Sequence, residues 1–212
     1  FLVFILPIII GPELYRTYAK LNSSQAETIQ MLIDSLEVKD KYTKGHVERV
    51  GMFAKYIGQE LNFRPYKLKR LHQAALLHDT GKLIVPNALL NKPGKLTDAE
   101  YAIVKKHEGV TEEILSAITF LKPIAHTAGG DHNKIDKAID VKNYEPYIVS
   151  VCDAFDAMTS SRSYRKALTQ KEAFSELENN IGKQFNGTVV GALKRALEKR
   201  DETDGAGFET DI

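Results

Sequence analysis

From residue 26 onward the apolar residues recur every three or four positions, the period of a helix buried along one face. Ile29, Leu32, Ile33 and Leu36 form one such stripe over 26–39, and Val47, Val50, Ala54, Ile57 and Leu61 form another over about 44–62. A third stripe, through Leu68, Leu71, Ala75 and Leu76, leads up to His78. Thr97 and Glu100 have the spacing of a capping box. They open a helix expected from about 98 to 118, with Ile103, Val110, Ile114 and Ile118 on its apolar face and His107 among them. Residues 119–147 lose the period and read as loop. The pattern returns over 147–158, again after a second capping box at Thr169 and Glu172, and in a last helix through Val189, Val190, Leu193 and Leu197. No segment alternates strongly enough to hold a sheet. The expected fold is therefore all-α, a helical bundle.

The chain opens on FLVFILPIIIG. This run is shorter than the roughly 20 apolar residues that span a bilayer, but it suits the end of a membrane helix, with Arg16 and Lys20 following on a cytoplasmic side. A buried or partner-packed apolar segment is the other reading. The expected organisation is the end of a membrane helix and linker at 1–25, one helical domain at 26–200 and a polar tail at 201–212.

Composition narrows the function classes. With 43% hydrophobic and 27% charged residues and a net charge of +1, the chain has the make-up of a soluble domain and no basic footprint for long nucleic acid. The lone Cys152 excludes an intrachain disulfide and favours a reducing compartment. An anionic substrate would have to be met by local charge.

Such local charge is concentrated in LLHDTGKLIVP, residues 76–86. On a helix Lys82 falls four residues past His78 and three past Asp79, so imidazole, carboxylate and ammonium share a face. A divalent cation and a phosphate together would need these groups. His46 at the start of its helix, the inward-facing His107, Asp153 within a mostly apolar helix, and His126, Asp131, His132 and Asp136 in the irregular stretch add ligand-type side chains. Glu37 and Asp40 oppose the dipole at the end of their helix; Asp40 reads as a solvated cap of the next helix. Arg49 reads as exposed, Asp156 as a capping or exposed neighbour of Asp153, and His72 as structural. Arg162, Arg165 and Lys166 form a basic cluster suited to phosphate. Imidazoles mixed with carboxylates, without cysteine pairs, suit first-row metals such as iron, manganese or zinc.

The blocks EVKDKYTKGHVERV, AALLHDTGKLIVPNALLNKPGKLT, IVKKHEG and IVSVCDAFDAMTSSRSYRKALT, followed by QFN, resemble the HD-GYP family of bacterial signalling phosphodiesterases, from about Glu27 to Leu197. The resemblance implies an HD-superfamily helical domain holding two or three divalent ions, commonly iron or manganese, that hydrolyses the cyclic dinucleotide c-di-GMP. It places Glu37, His46, His78, Asp79, His107 and Asp153 at the family's metal-ligand positions, with Asp79 bridging two ions. Lys82 falls at the position that approaches the scissile phosphate, and Arg162 and Arg165 at positions that hold substrate phosphates. The apolar entry followed by a short helix is similar to membrane-anchored members of the family, which implies a cytoplasmic domain anchored to the inner membrane. Separately, the first helix is a candidate for homodimer formation.

The departure lies between His107 and Asp153, where no Gly-Tyr-Pro segment occurs. Counting forward from residues 120–122 puts Asp131 and His132 at the family's third ligand block, and a different gap would put His126 and Thr127 there. Two functions follow: a metal-dependent phosphodiesterase with an altered site, or a non-catalytic nucleotide-binding or signalling module on the same fold. A mononucleotidase of HD type would share His46, His78, Asp79 and Asp153 but leave His107 without a use.

Overall fold

The computed structural model describes residues 2–40, 43–130, 144–161 and 166–205, with side chains described only between residues 10 and 200. Its regular elements are helical throughout. They are α1 (Leu2–Lys39), α2 (His46–Glu60), α3 (Pro65–Leu77), α4 (Asn87–Leu90), α5 (Asp98–Lys105), α6 (His107–Ala117), α7 (Ala125–Gly129), α8 (Glu145–Thr159), α9 (Gln170–Asn179) and α10 (Gly187–Gly205), with 3-10 turns at Thr80–Ile84 and Lys122–Ile124.

Two apolar clusters share the helices α2 and α3. The larger gathers Val50, Ala54 and Ile57 of α2 with Leu71 and Ala75 of α3, the inner faces of α8 and α9, and Val189, Val190 and Leu193 of α10. The smaller gathers Ile29, Ile33 and Leu36 of α1, Val47, Ala74 and Leu77, and Leu115, Leu121 and Ile124. A fully buried leucine or isoleucine contributes about 1.5–3 kcal/mol. The seam between the clusters therefore fixes the first turn of α2 and the last turn of α3 against each other, and His46 and His78 sit on those two turns.

Both expected capping boxes form, with Thr97 Oγ1 accepting from the Glu100 N–H and Thr169 Oγ1 from the Glu172 N–H. Other boundaries differ from the periodicity. The expected helix 98–118 is two helices, breaking at Lys106, and its buried face is Thr111 and Leu115, with Ile103 exposed. Just past the break α6 packs closely on the turn at Gly81: a Cβ there would lie 1.9 Å from the His107 carbonyl oxygen, so no other residue would allow this approach. The described part of the expected 119–147 loop holds a 3-10 turn and α7, and α8 begins at Glu145.

The first stripe belongs to a much longer helix. α1 runs unbroken through the expected linker at 1–25, and α10 extends past residue 200 to Gly205. No helix among the described residues is long and apolar enough to cross a membrane.

Candidate metal centre

α1 ends where Thr43 Oγ1 donates to the Asp40 carbonyl (2.6 Å), and the chain turns through Gly45 at φ 69°, a left-handed conformation that favours glycine. That turn delivers His46 as the first residue of α2. At the end of α3, Thr80 Oγ1 donates to the Leu77 carbonyl (2.7 Å) and closes the helix just past His78 and Asp79. Thr111 of α6 then joins the pieces: its hydroxyl accepts the Gly81 N–H (2.8 Å) and lies 2.9 Å from the His107 carbonyl and 3.1 Å from that of His78. Asp153 comes from the middle of α8.

Three imidazoles consequently turn their Nε2 atoms toward two carboxylates. His107 Nε2 stands 3.3 Å from Asp79 Oδ1, His78 Nε2 3.6 Å from Asp79 Oδ2, and His46 Nε2 3.4 Å from Asp153 Oδ1 and 4.0 Å from Asp79 Oδ2. Each outer nitrogen is held. His78 Nδ1 donates to the Ala75 carbonyl (2.8 Å), His107 Nδ1 to the Val104 carbonyl (2.7 Å), and His46 Nδ1 to Asp156 Oδ2 (2.7 Å). Carbonyl and carboxylate oxygens only accept, so the neutral rings carry their protons on Nδ1 and aim Nε2 lone pairs at anionic oxygens. Lone pair against carboxylate is repulsive unless a proton or a cation lies between them. An outer N–H bonded to a carbonyl or carboxylate, with the inner nitrogen bare, is how proteins orient histidine for a metal. His46, His78 and Asp79 alone place ligand atoms within 4.8 Å of one another, all three residues buried. The donor set thus fits a first-row divalent ion.

The charges agree with a site that seeks cations. Burial opposes the charged form of His46, but hydrogen bonds to Asp153 and Asp156 and the charge on Asp79 outweigh it, raising its pKa to about 9. Burial likewise opposes His107, and the Asp79 carboxylate raises it nonetheless. Asp79 is held well below the usual carboxylate range: burial pushes it up, and Lys82, His78 and His107 more than compensate. Burial opposes the Lys82 ammonium, and Asp79 and Asp40 raise it. Lys82 Nζ donates to Asp79 Oδ2 (2.6 Å) and lies 3.2 Å from Asp40 Oδ2.

These groups line a cavity of about 430 Å³, whose apolar lining includes Leu89, Leu90, Leu96, Tyr101 and Val104. Of the residues expected at the site, the structure brings together His46, His78, Asp79, Lys82, His107 and Asp153. Glu37 stands behind this group: its carboxylate accepts the N–H of Gly45 (3.2 Å), the residue before His46, and it is not among the residues that line the cavity. Asp131, His132, Arg162 and Arg165 lie outside the described residues. His126 is exposed on α7, 3.4 Å from Glu112, and lines a separate groove with Lys67 and Arg70.

Three residues read as solvated are structural parts of the centre. Asp40 is buried against Lys82 at the cavity edge rather than solvated as a cap. Asp156, 1% exposed, holds His46 from behind, and Arg49 clamps Asp156 through Nε (2.5 Å) and Nη2 (3.0 Å). Their signal was register: Arg49 lies one turn after His46, and Asp156 one turn after Asp153.

Comparison with known proteins agrees with this geometry. A family model described as HD domain matches residues 30–189. The 3'3'-cGAMP-specific phosphodiesterase 3 of Vibrio cholerae is 37% identical over 76% of this chain and 37% of its own length. A cyclic di-GMP phosphodiesterase of Thermotoga maritima is 34% identical over 82% of this chain and 49% of its own. The crystal structure of a cyclic GMP-AMP-specific phosphodiesterase of V. cholerae superposes with a TM-score of 0.54 at 35% identity, covering 80% of this chain and 40% of the other. The chain spans about half or less of the length of these relatives.

Proposed function

The chain belongs to the HD-domain family, in its HD-GYP type, and from that premise we propose that it hydrolyses a cyclic dinucleotide, c-di-GMP or 3'3'-cGAMP, as a metal-dependent phosphodiesterase. The observation that carries the reading is the convergence of three Nδ1-anchored imidazoles on Asp79 and Asp153 beside a buried lysine. His46, His78, His107, Asp79 and Asp153 would hold two divalent ions, iron or manganese. Asp131 and His132 are the proposed further ligands. Bound there, such ions supply Lewis-acid neutralisation of phosphate charge and an activated water.

The chain's own residues do the rest. The cavity floor, anionic without cations, selects for a cation-loaded state before an anionic phosphodiester enters. Lys82, kept protonated by Asp79 and Asp40, points a fixed ammonium at the place where phosphate charge would develop. Asp156 and Arg49 keep the His46 ring in one orientation. The apolar wall excludes water from one side of the substrate and offers a surface to a purine. Arg162 and Arg165 are proposed to hold the outer phosphate. Retention of Lys82, His107 and Asp153 together favours the enzyme over a non-catalytic module, because a binding module has no evident physical need for all three.

The test is metal content per chain after purification without oxygen or chelator, then hydrolysis of c-di-GMP and 3'3'-cGAMP on the same sample with iron or manganese supplied. Two or more metals with linear or mononucleotide product are expected. One metal or none, and no product, would leave the binding module. Attachment to the inner membrane through the apolar residues before Gly11 belongs to the same proposal; sedimentation of the full-length protein with membranes tests it.

A further inference from the structure

α1 has two apolar faces, and the domain uses one. Ile29, Ile33 and Leu36 are buried in the smaller core. On the opposite side Leu14, Leu21, Met31 and Val38 are 64%, 57%, 60% and 87% exposed, and Ile10 is 41% exposed. An exposed leucine needs no explanation by itself. The spacing does: positions 10, 14, 17, 21, 24, 28, 31, 35 and 38 follow strict four-three steps, and none of them carries a charge. A 3.5-residue repeat held over this length keeps a seam aligned only if the helix supercoils about another helix.

Two of the four polar members of the seam, Thr28 and Ser35, already place their hydroxyl protons within the helix. Thr28 Oγ1 donates to the Ser24 carbonyl (2.9 Å) and Ser35 Oγ to the Met31 carbonyl (2.6 Å), so a dry interface would strand neither hydroxyl donor.

We propose that α1 pairs in parallel with α1 of a second copy of this chain along residues 10–38. Flanking charge sets the partner and the direction. In a parallel pair, Glu13, Lys20, Glu27 and Asp34 meet Tyr18, Gln25, Leu32 and Lys39 of the second copy, five positions on. No like charges meet, and Asp34 with Lys39 is an attractive pair. The antiparallel register that would set Lys20 against Glu27 also sets Glu13 against Asp34, a like-charge contact that the parallel pair lacks. The pairing also reaches the metal centre: two residues past Val38, Asp40 contacts Lys82, and Lys39 Nζ donates to the Leu83 carbonyl in the same turn.

The lone Cys152 makes the test clean. It is fully buried, and burial pushes its thiol well up, so an added surface cysteine is the reactive one. The full chain should sediment as a dimer. Thr28→Cys, on the seam, should form a disulfide-linked dimer under copper-phenanthroline oxidation, and Arg16→Cys, off the seam, at least tenfold less. The double substitution Leu14→Glu, Leu21→Glu should raise the dimer dissociation constant at least 100-fold with an unchanged circular dichroism spectrum, the check that it still folds. A chain that stays monomeric at 100 µM would overturn the proposal, including a monomer that binds lipid vesicles through the same face. A dimer in which both cysteines link equally, or in which neither links, would overturn the register.

Discussion

The floor and the outer wall of the cavity are built in opposite ways. On the floor His46, His78 and Asp79 are 7%, 1% and 4% exposed, and each imidazole is held by a hydrogen bond at its outer nitrogen. The wall is α4, α5 and the Pro93–Gly94 connection, and neither of these helices buries a residue fully. What ties the wall down is a capping box, the Lys92–Glu100 pair (2.6 Å) at its surface and one hydrogen bond from Asn91 to the Lys39 carbonyl (3.1 Å). A floor locked in one geometry suits chemistry that is intolerant of displacement. A wall held by so few contacts can differ between relatives without disturbing that chemistry, so under the proposed function a preference among cyclic dinucleotides would be set there.

The sharpest break of the comparison is at the floor. Asp79→Ala removes the carboxylate on which Lys82, His78 and His107 converge, and should lower turnover by on the order of 10³-fold or more while lowering metal content per chain. Metal analysis beside the assay checks both. Gly81→Ala touches no ligand, yet its Cβ would meet the His107 carbonyl at 1.9 Å and the Thr111 nitrogen at 2.7 Å. The turn and α6 must then separate. A stability loss of about 1–3 kcal/mol, read by denaturant unfolding, should accompany loss of metal as His107 moves away from Asp79.

Asp156→Asn tests whether orientation from behind matters as much as ligation. It keeps the shape and removes the charge that holds both His46 and Arg49. Metal affinity should fall about 10- to 100-fold, with the fold intact by circular dichroism. The same ring gives the site its pH dependence. In the metal-free protein the His46 pKa is raised from 6.5 to about 9, so its stabilising contribution is complete below pH 6.5 and is lost as pH rises through about 9. Thermal unfolding of metal-free protein should therefore shift to lower temperature across that window. Metal affinity should rise over the same window, because each ion displaces that proton.

How far the sequence carried follows from where each signal sits. His78, Asp79 and Lys82 are adjacent in one helix-ending block, and His107 and Asp153 interrupt apolar stripes, so local pattern alone marked them. Asp40 has its partner 42 residues away, with nothing local to distinguish it from a solvated surface acid, and Asp156, whose partner is 110 residues away, offered only its register one turn after Asp153. The close approach of α6 to Gly81 was hidden for the same reason: the two residues in contact, Gly81 and His107, lie in different elements. Long-range contacts of this kind leave no periodicity.

The gentlest test concerns the wall. Tyr101 lines the cavity with Val104 and the imidazoles, 55% exposed, with its ring available to a flat ligand. A cyclic dinucleotide with one phosphate over the floor must place a purine within reach of a neighbouring wall, and an aromatic ring is a sequence-tolerant platform for any base. Base stacking is worth about 1–3 kcal/mol, and the exposure of this ring puts the expected value at the lower end, roughly five- to tenfold in KM. Tyr101→Ala should produce that increase with c-di-GMP or 3'3'-cGAMP, with kcat little changed, and Tyr101→Phe should restore it because the ring rather than the hydroxyl stacks. With methyl p-nitrophenyl phosphate, a diester without a purine, wild type and Tyr101→Ala should be indistinguishable. Equal losses on both substrates would mean that the wall supports the floor after all, and the division between a fixed floor and an adaptable wall would fall.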